Sequence, residues 1–135
     1  MTTMIFVNLP VKDLDRSVAF FTRLGFTFNP QFTDENATCM VISDTIYVML
    51  LVEKFFKTFT KKEVSDSSKT TEAILSLNLD SREKVDELVD KAMQAGAKPS
   101  VKLEEMPGMY GRNFEDLDGH LWEVFWMDVS SMGKG

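Results

Sequence analysis

The feature that most constrains the fold is an internal repeat of roughly 70 residues, about half of the 135-residue chain. Aligning Leu9 with Leu77 also brings Gly25 close to Gly96, and each glycine follows an amphipathic segment. Self-similarity of this kind indicates that each copy folds as one supersecondary unit. The chain is also long enough to bury a core of its own. We therefore predict two similar modules within a single domain.

The first copy is predicted to form a strand, a helix and three further strands. The opening strand covers residues 5–11, Asp13 can cap the helix, and Gly25 can end it in the left-handed conformation. Further strands are predicted at residues 26–32, 38–42 and 46–52, with Pro30 favouring a sheet edge or a bulge. The order of elements is therefore βαβββ.

The second copy repeats this order. A strand is predicted at residues 73–79, and either Asp80 or Ser81 can cap a helix that Gly96 ends. Strands follow at residues 97–103, 109–115 and 120–127, and Asp118-Gly119 predicts the turn between the last two, because glycine takes a positive φ without strain. The predicted fold class is α+β, built from two tandem βαβββ modules.

Residues 53–71 form the segment that composition marks as a linker, since phenylalanines among lysines give way to a polar run at residues 65–69. A short helix would present Phe55, Phe56 and Phe59 on one side, and we predict that they join the core, the alternative being a lid over a pocket. The predicted boundaries are module one at 1–52, linker at 53–71, module two at 72–129 and a frayed tail at 130–135.

The charge balance and the single cysteine exclude several classes of function. Lys and Arg number 15 against 21 Asp and Glu, a net charge of -6, which argues against nucleic acid and anionic membrane as partners and permits a cationic ligand. No apolar run approaches the length of a membrane span and residues 1–11 lack the pattern of a signal peptide, so we predict a cytoplasmic protein. Cys39 is predicted to be a small buried residue.

Glu123 is the best single candidate for a site residue. It lies in a strand whose residues are large and apolar on both faces, and a carboxylate in such a place needs a partner, a cation or a wet pocket. Strand alternation separates the two faces. Leu121, Glu123, Phe125 and Met127 fall on one face, and Trp122, Val124 and Trp126 fall on the other, against a helix.

Two further side chains lie close enough in the predicted hairpin to bear on the role of Glu123. Arg112 shares a face of the preceding strand with Tyr110, so it could pair with Glu123 or hold an acidic group of a ligand. His120 is the only histidine and lies three residues before Glu123, which points the two to opposite faces. We predict a surface histidine beside the turn.

Three segments of the sequence resemble the vicinal oxygen chelate superfamily, which includes glyoxalase I, extradiol dioxygenases, fosfomycin-modifying enzymes and bleomycin-resistance proteins. They are residues 7–21, 24–26 and 114–123, with the sequences VNLPVKDLDRSVAFF, LGF and FEDLDGHLWE. The resemblance implies that the mixed sheets of the paired modules curl into a cup. It also implies that short chains of this kind pair as homodimers, with each pocket built from both chains.

The resemblance also indicates where a metal would bind. Enzymes of the superfamily hold a divalent metal through one side chain from the first and last strand of each module, positions that fall here on Phe6, on Val48 or Met49, on Ile74 and on Glu123. Of these, Glu123 alone offers the oxygen ligand that such ions prefer, and one carboxylate does not hold a catalytic metal against water. The prediction is that no metal and no other cofactor is bound, which argues against glyoxalase I and dioxygenase activity.

We predict a protein similar to the bleomycin-resistance type, which binds a small amphipathic or cationic molecule in an apolar cup. Two alternatives remain at this point. One is a divergent lyase or dioxygenase that uses Glu123 as a general base or recruits a divalent metal. The other is a dimeric interaction module with a filled pocket. The side chains predicted to line the cup around Glu123 are Phe6, Met49, Ile74, Tyr110, Arg112 and Phe125.

Overall fold

The structure, a computed structural model, describes residues 2–103 and 106–128. The chain divides after Asp66 into two compact units, which we call unit 1 and unit 2. Each unit contains a four-stranded mixed sheet of its own. The two tandem βαβββ modules predicted from the sequence are confirmed, and the fold class is α+β. The tail predicted at residues 130–135 lies outside the described residues.

Unit 1 contains four strands and two α-helices. Its sheet has the strand order β1-β4-β3-β2, with β1 parallel to β4 and the other neighbours antiparallel. Short 3-10 turns lie at Pro30–Phe32 and Lys57–Phe59. The elements are β1 (Ile5–Val11), α1 (Leu14–Arg23), β2 (Thr27–Asn29), β3 (Ala37–Val41), β4 (Ile46–Val52) and α2 (Glu53–Phe56).

Local signals fix the ends of α1. The side chain of Asp13 accepts a hydrogen bond of 3.1 Å from the backbone N–H of Arg16, so one free donor of the first turn is satisfied. Gly25 adopts φ 103° directly after the helix, as predicted. The strand predicted at residues 26–32 is shorter than expected, because Pro30 has no N–H to donate and begins a 3-10 turn.

The core of unit 1 lies between its sheet and α1. Val11, Met40, Val48 and Leu50 are buried on the sheet, and Phe21 is buried on the helix. On the opposite face, Leu51 and Cys39 are also buried and α2 packs against β1 and β4. Burial raises the pKa of the Cys39 thiol, so the prediction of a small buried residue is confirmed.

The aromatic linker residues differ from the prediction. Phe59 is 69% exposed, and Phe55 and Phe56 are only half-buried, so this group does not form part of the core. The rings of Phe55 and Phe59 meet edge to face at 5.1 Å. The segment is four residues of helix followed by a 3-10 turn, too short to bury three large rings against one sheet.

Unit 2 repeats the topology with the strand order β5-β8-β7-β6, and β5 is parallel to β8. Ser81, one of the two predicted caps, accepts a hydrogen bond of 3.2 Å from the N–H of Lys84. The strand predicted at 97–103 pairs only at Lys98 and Pro99. The elements are β5 (Ile74–Asn78), α3 (Arg82–Gln94), β6 (Lys98–Pro99), β7 (Met109–Glu115) and β8 (Leu121–Met127).

The core of unit 2 lies between α3 and one face of its sheet. Val85, Val89 and Ala92 of the helix are buried, as are Trp122 and Val124 of β8. Trp122 is only 1% exposed, which confirms the prediction that the tryptophan face of this strand packs against a helix. The opposite face of the sheet, which carries Glu123, is not covered by α3. Among the described residues, no helix is both long and apolar enough to cross a membrane.

Candidate functional site

Glu123 lies at the middle of β8, on the sheet face that points away from α3. Its register partners are Ser76 on β5 and Asn113 on β7, so three polar side chains form a row across three neighbouring strands, which we call the polar row. Glu123 and Asn113 are half-buried and Ser76 is exposed. Within the described part of the chain, no hydrogen bond or ion pair engages the side chain of any of the three.

Apolar side chains flank Glu123 along β8, whereas Asn78 on β5 and Glu115 on β7 extend the polar surface of the same face. Ile74 is the register partner of Leu121, and both lie on the face of Glu123, one step along their strands. Phe125 lies one step further in the other direction on the same face. Ile74 is 58% exposed, whereas Leu121 and Phe125 are half-buried. Glu123 therefore has apolar neighbours along its own strand and neutral polar neighbours directly across it, with Glu115 as a second carboxylate diagonally across on β7.

The pairing of Arg112 with Glu123, one of the two roles considered for Arg112, does not occur. Arg112 is the register partner of Val124, so it lies on the opposite face, towards α3. The reason is the length of the hairpin loop, since β7 ends at Glu115 and β8 begins at Leu121. A two-residue turn at Asp118-Gly119 would have paired Arg112 with Phe125, whereas the observed loop pairs it with Val124. A shift of one residue moves every side chain to the other face of the sheet.

Arg112 binds two carboxylates of α3 instead. Its Nη1 lies 3.0 Å from Oδ1 of Asp86 and 2.9 Å from Oδ1 of Asp90. The hydroxyl of Tyr110 donates to Asp86 at 2.6 Å, and this bond, with the help of Arg112, holds the pKa of Asp86 below its ordinary value. Burial lowers the pKa of Arg112, but its bonds to Asp90 and Asp86 outweigh burial and leave that pKa raised.

Arg82 of α3 extends the same cluster. Its guanidinium carbon lies 5.5 Å from the ring centre of Tyr110 and 5.2 Å from that of Trp126, within the range of cation–π attraction. Tyr110 and Arg112, both predicted as ligand-binding residues, therefore fasten β7 to α3. They do not lie on the face of Glu123.

His120 is also placed differently from the prediction, since only 8% of it is exposed. The loop folds back on itself: the backbone N–H of His120 donates to Oδ1 of Asp116 at 3.0 Å, and the N–H of Asp118 donates to the same atom at 2.9 Å. The indole N–H of Trp122 donates to Oδ2 at 2.9 Å. Burial raises the pKa of Asp116, and the positive charge of His120 and these three donors offset part of that rise.

Unit 1 holds the remaining predicted positions. Phe6 is the register partner of Tyr47, and their rings stack at 4.7 Å. Met49 lies on the same face two residues after Tyr47, whereas Val48 is buried on the face that packs against α1. Met49 therefore shares the face of Phe6, and Val48 does not. Tyr47 was not predicted as a site residue, although its alternation with Met49 in the sequence would have been enough to place it.

The residues at the metal-ligand positions do not fit a metal. Phe6 and Met49 in unit 1 and Ile74 in unit 2 offer no oxygen or imidazole nitrogen, and Glu123 is left as a single carboxylate. Among residues 2–103 and 106–128, no group of three or more His, Cys, Asp or Glu side chains is placed to hold a metal ion. We therefore derive no chemistry through a metal.

A family model and a solved structure of a related protein identify the family of this chain. Residues 3–43 match the family model described as bleomycin resistance protein-like N-terminal. The hypothetical protein SA1046 from S. aureus is 31% identical, with 93% of this chain and 95% of that chain covered and a TM-score of 0.77. The chain belongs to the vicinal oxygen chelate superfamily.

Other solved structures share the vicinal oxygen chelate fold at lower identity. A glyoxalase-related enzyme from Fulvimarina pelagi is 18% identical over 96% of this chain and 91% of that chain, with a TM-score of 0.79. The fosfomycin resistance protein FosX from Listeria monocytogenes is 18% identical over 93% of this chain and 91% of that chain, with a TM-score of 0.66. At this identity the likeness concerns the fold alone. Among curated proteins, none matches the sequence.

Proposed function

We propose that this vicinal oxygen chelate protein binds a small amphipathic cation on the sheet face of unit 2 that points away from α3, with Glu123 as the charged anchor. The observation that carries the proposal is the state of Glu123: a half-buried carboxylate among apolar side chains, with no hydrogen bond or ion pair from the described residues. A carboxylate in such surroundings gains from a cationic partner, because the cation restores what burial removes. The net charge of -6 also favours approach of a cation.

The proposed mode of binding involves no metal and no covalent chemistry. The apolar part of the ligand packs on Ile74, Leu121 and Phe125, and its charged end meets Glu123. Small-molecule sites commonly combine a mainly apolar lining with few polar groups that set the orientation of the ligand. Phe6, Tyr47 and Met49 supply an aromatic and apolar face in unit 1 that suits the same class of ligand.

Glu123→Gln is expected to weaken binding and to leave the fold intact. The change keeps the shape of the side chain and removes its charge, so affinity for hexylammonium is expected to fall by about 1–3 kcal/mol, the range for a lost charge-assisted hydrogen bond. Stability is expected to change little, because Arg112 is satisfied by Asp86 and Asp90 and not by Glu123. Calorimetric titration with hexylammonium, together with thermal unfolding, measures both effects.

Glu83→Gln is the matched control for this test. Glu83 is exposed in the first turn of α3, so the control changes the net charge by the same amount far from the polar row. Binding to the control is expected to equal binding to the wild type. If Glu123→Gln bound hexylammonium as tightly as the wild type, the anchor role would be refuted.

We also propose that the chain forms a homodimer. β1 is an edge strand with exposed apolar side chains at its start: Ile5 is 55% exposed, Phe6 47%, and Met4, just before the strand, 51%. Open strand edges flanked by apolar surface favour association with another chain, and a second copy is the commonest partner. Light scattering at micromolar concentration is expected to give twice the mass of one chain. A species with the mass of a single chain under these conditions would contradict the proposal.

A further inference from the structure

We infer that the polar row selects a protonated amine with N–H donors over a quaternary ammonium, and that Ser76 and Asn113 are the residues that determine this specificity. The inference rests on the proposed function, because it concerns the chemical class of cation that Glu123 would bind. It adds two residues that neither the sequence motifs nor the metal-ligand positions point to.

The geometry of the row places a hydrogen-bond acceptor on each side of Glu123. Neighbouring strands lie about 4.8 Å apart, and side chains in register on the same face have Cβ atoms about 4.5–5.5 Å apart. Ser76 and Asn113 flank Glu123 on either side in this way. A primary ammonium has three N–H donors, and the row offers one acceptor on each strand: a hydroxyl oxygen, a carboxylate oxygen and an amide oxygen.

These acceptors are free to accept. In the described residues, the side chains of Ser76, Glu123 and Asn113 form no hydrogen bond with any other group. Glu123 and Asn113 are half-buried, and their polar atoms remain accessible. A ligand that donates to Glu123 and to a flanking acceptor replaces the water that it displaces, whereas a ligand that donates to none leaves the polar groups covered and unsatisfied.

Unit 1 provides an internal comparison. The row equivalent to the polar row is Asn8, Met49 and Cys39, which are in register across β1, β4 and β3. Here Met49 replaces the carboxylate, and the amide of Asn8 already donates to the carbonyl of Phe6 at 3.2 Å. Cys39 is buried and its pKa is raised, so it stays a neutral thiol. The arrangement of acceptors is therefore particular to unit 2.

A quaternary ammonium could not form the same hydrogen bonds at this site. Its methyl groups carry no N–H donors, and proteins bind such cations mainly with the faces of several aromatic rings. Phe125 is the aromatic residue on this face of β8. Charge attraction to Glu123 would remain, but Ser76 and Asn113 would be covered without receiving a hydrogen bond.

The test compares hexylammonium with hexyltrimethylammonium, which share a chain length and a charge. We expect the wild type to bind hexylammonium at least about tenfold more tightly in calorimetric titration, the factor that corresponds to 1.4 kcal/mol. In the Ser76→Ala, Asn113→Ala double variant, the ratio is expected to fall to about one through loss of hexylammonium affinity. Affinity for hexyltrimethylammonium is expected to stay unchanged.

Two further variants test whether the preference depends on Ser76 and Asn113 in particular. Asn78→Ala removes an amide from the same face of β5, one step beyond Ser76 and opposite Phe125, and is expected to keep the wild-type ratio. Ser76→Thr retains the hydroxyl and leaves Asn113 intact, so it is expected to keep the wild-type preference for hexylammonium over hexyltrimethylammonium. Thermal unfolding of each variant checks that the sheet is preserved.

The possible failures are distinguishable. If the wild type binds both probes equally, or if the double variant keeps the wild-type ratio, the specificity inference is overturned and the proposed function stands. If the wild type binds neither probe, the proposed function itself fails at Glu123, and the inference fails with it.

Discussion

Replacing Asp116 with alanine is expected to lower the free energy of unfolding by about 3–5 kcal/mol, because each buried donor left without an acceptor costs roughly 1–3 kcal/mol. Asp116 is only 5% exposed and accepts hydrogen bonds from the indole of Trp122 and from the backbone N–H groups of Asp118 and His120. Denaturant unfolding at neutral pH measures the change.

Two companion variants serve as controls for the loss of stability expected in Asp116→Ala. Asp44→Ala removes a carboxyl group from an exposed turn of unit 1 and is expected to change stability by no more than about 0.5 kcal/mol. Trp122→Phe removes the indole donor while keeping a large ring, so it separates that one bond from the two backbone bonds. A loss below about 1 kcal/mol for Asp116→Ala would show that the loop does not depend on this carboxylate.

Gly119→Ala is expected to destabilise the protein by about 3–4 kcal/mol, as the sum of backbone strain and steric overlap, each of the order of 1–3 kcal/mol. Gly119 has φ 87°, and a Cβ atom there would lie 2.6 Å from the carbonyl oxygen of Ser67 and 2.9 Å from Cα of Ser68. Both obstacles are backbone atoms, so neither can turn aside. The hydroxyl of Ser67 also donates to the carbonyl of Asp118 at 2.6 Å, and that bond would be disturbed.

Gly25→Ala is the matched control, because Gly25 has a similar φ of 103° but nothing within 4 Å of a new Cβ. It is expected to show the strain alone, about 1–2 kcal/mol. The difference between the two variants in denaturant unfolding therefore reports the contact of the hairpin with Ser67 and Ser68. Equal losses at the two glycines would indicate that this contact is absent in solution.

Much of the fold follows from signals that are local in the sequence. The caps at Asp13 and Ser81 and the glycine at position 25 act within a few residues, so they could be assigned without knowledge of the tertiary structure. The predicted strands at 5–11, 46–52 and 109–115 agree with the observed limits. The strand predicted at 97–103 is too long, because its pairing ends at Pro99, which has no N–H to donate and was a signal present in the sequence.

The candidate site was less predictable because it depends on register between strands. Alternation along β8 placed Glu123 and Phe125 on one face correctly, but the face of Arg112 depends on the number of residues in the loop before β8. Asp116 stabilises this loop by accepting hydrogen bonds from the backbone N–H groups of Asp118 and His120. His120 is buried at the end of the loop, although its position in the sequence beside a turn suggested exposure.

The parallel pairing of β5 with β8 has a consequence for the order of events during synthesis. Every strand of the sheet in unit 1 has been made by Val52, whereas β5 ends at Asn78 and its partner begins only at Leu121. At typical translation rates, roughly 5–20 residues per second, β5 waits several seconds without a neighbour. Unit 1 can therefore fold on the ribosome while the first strand of unit 2 remains open to chaperones or to another nascent chain.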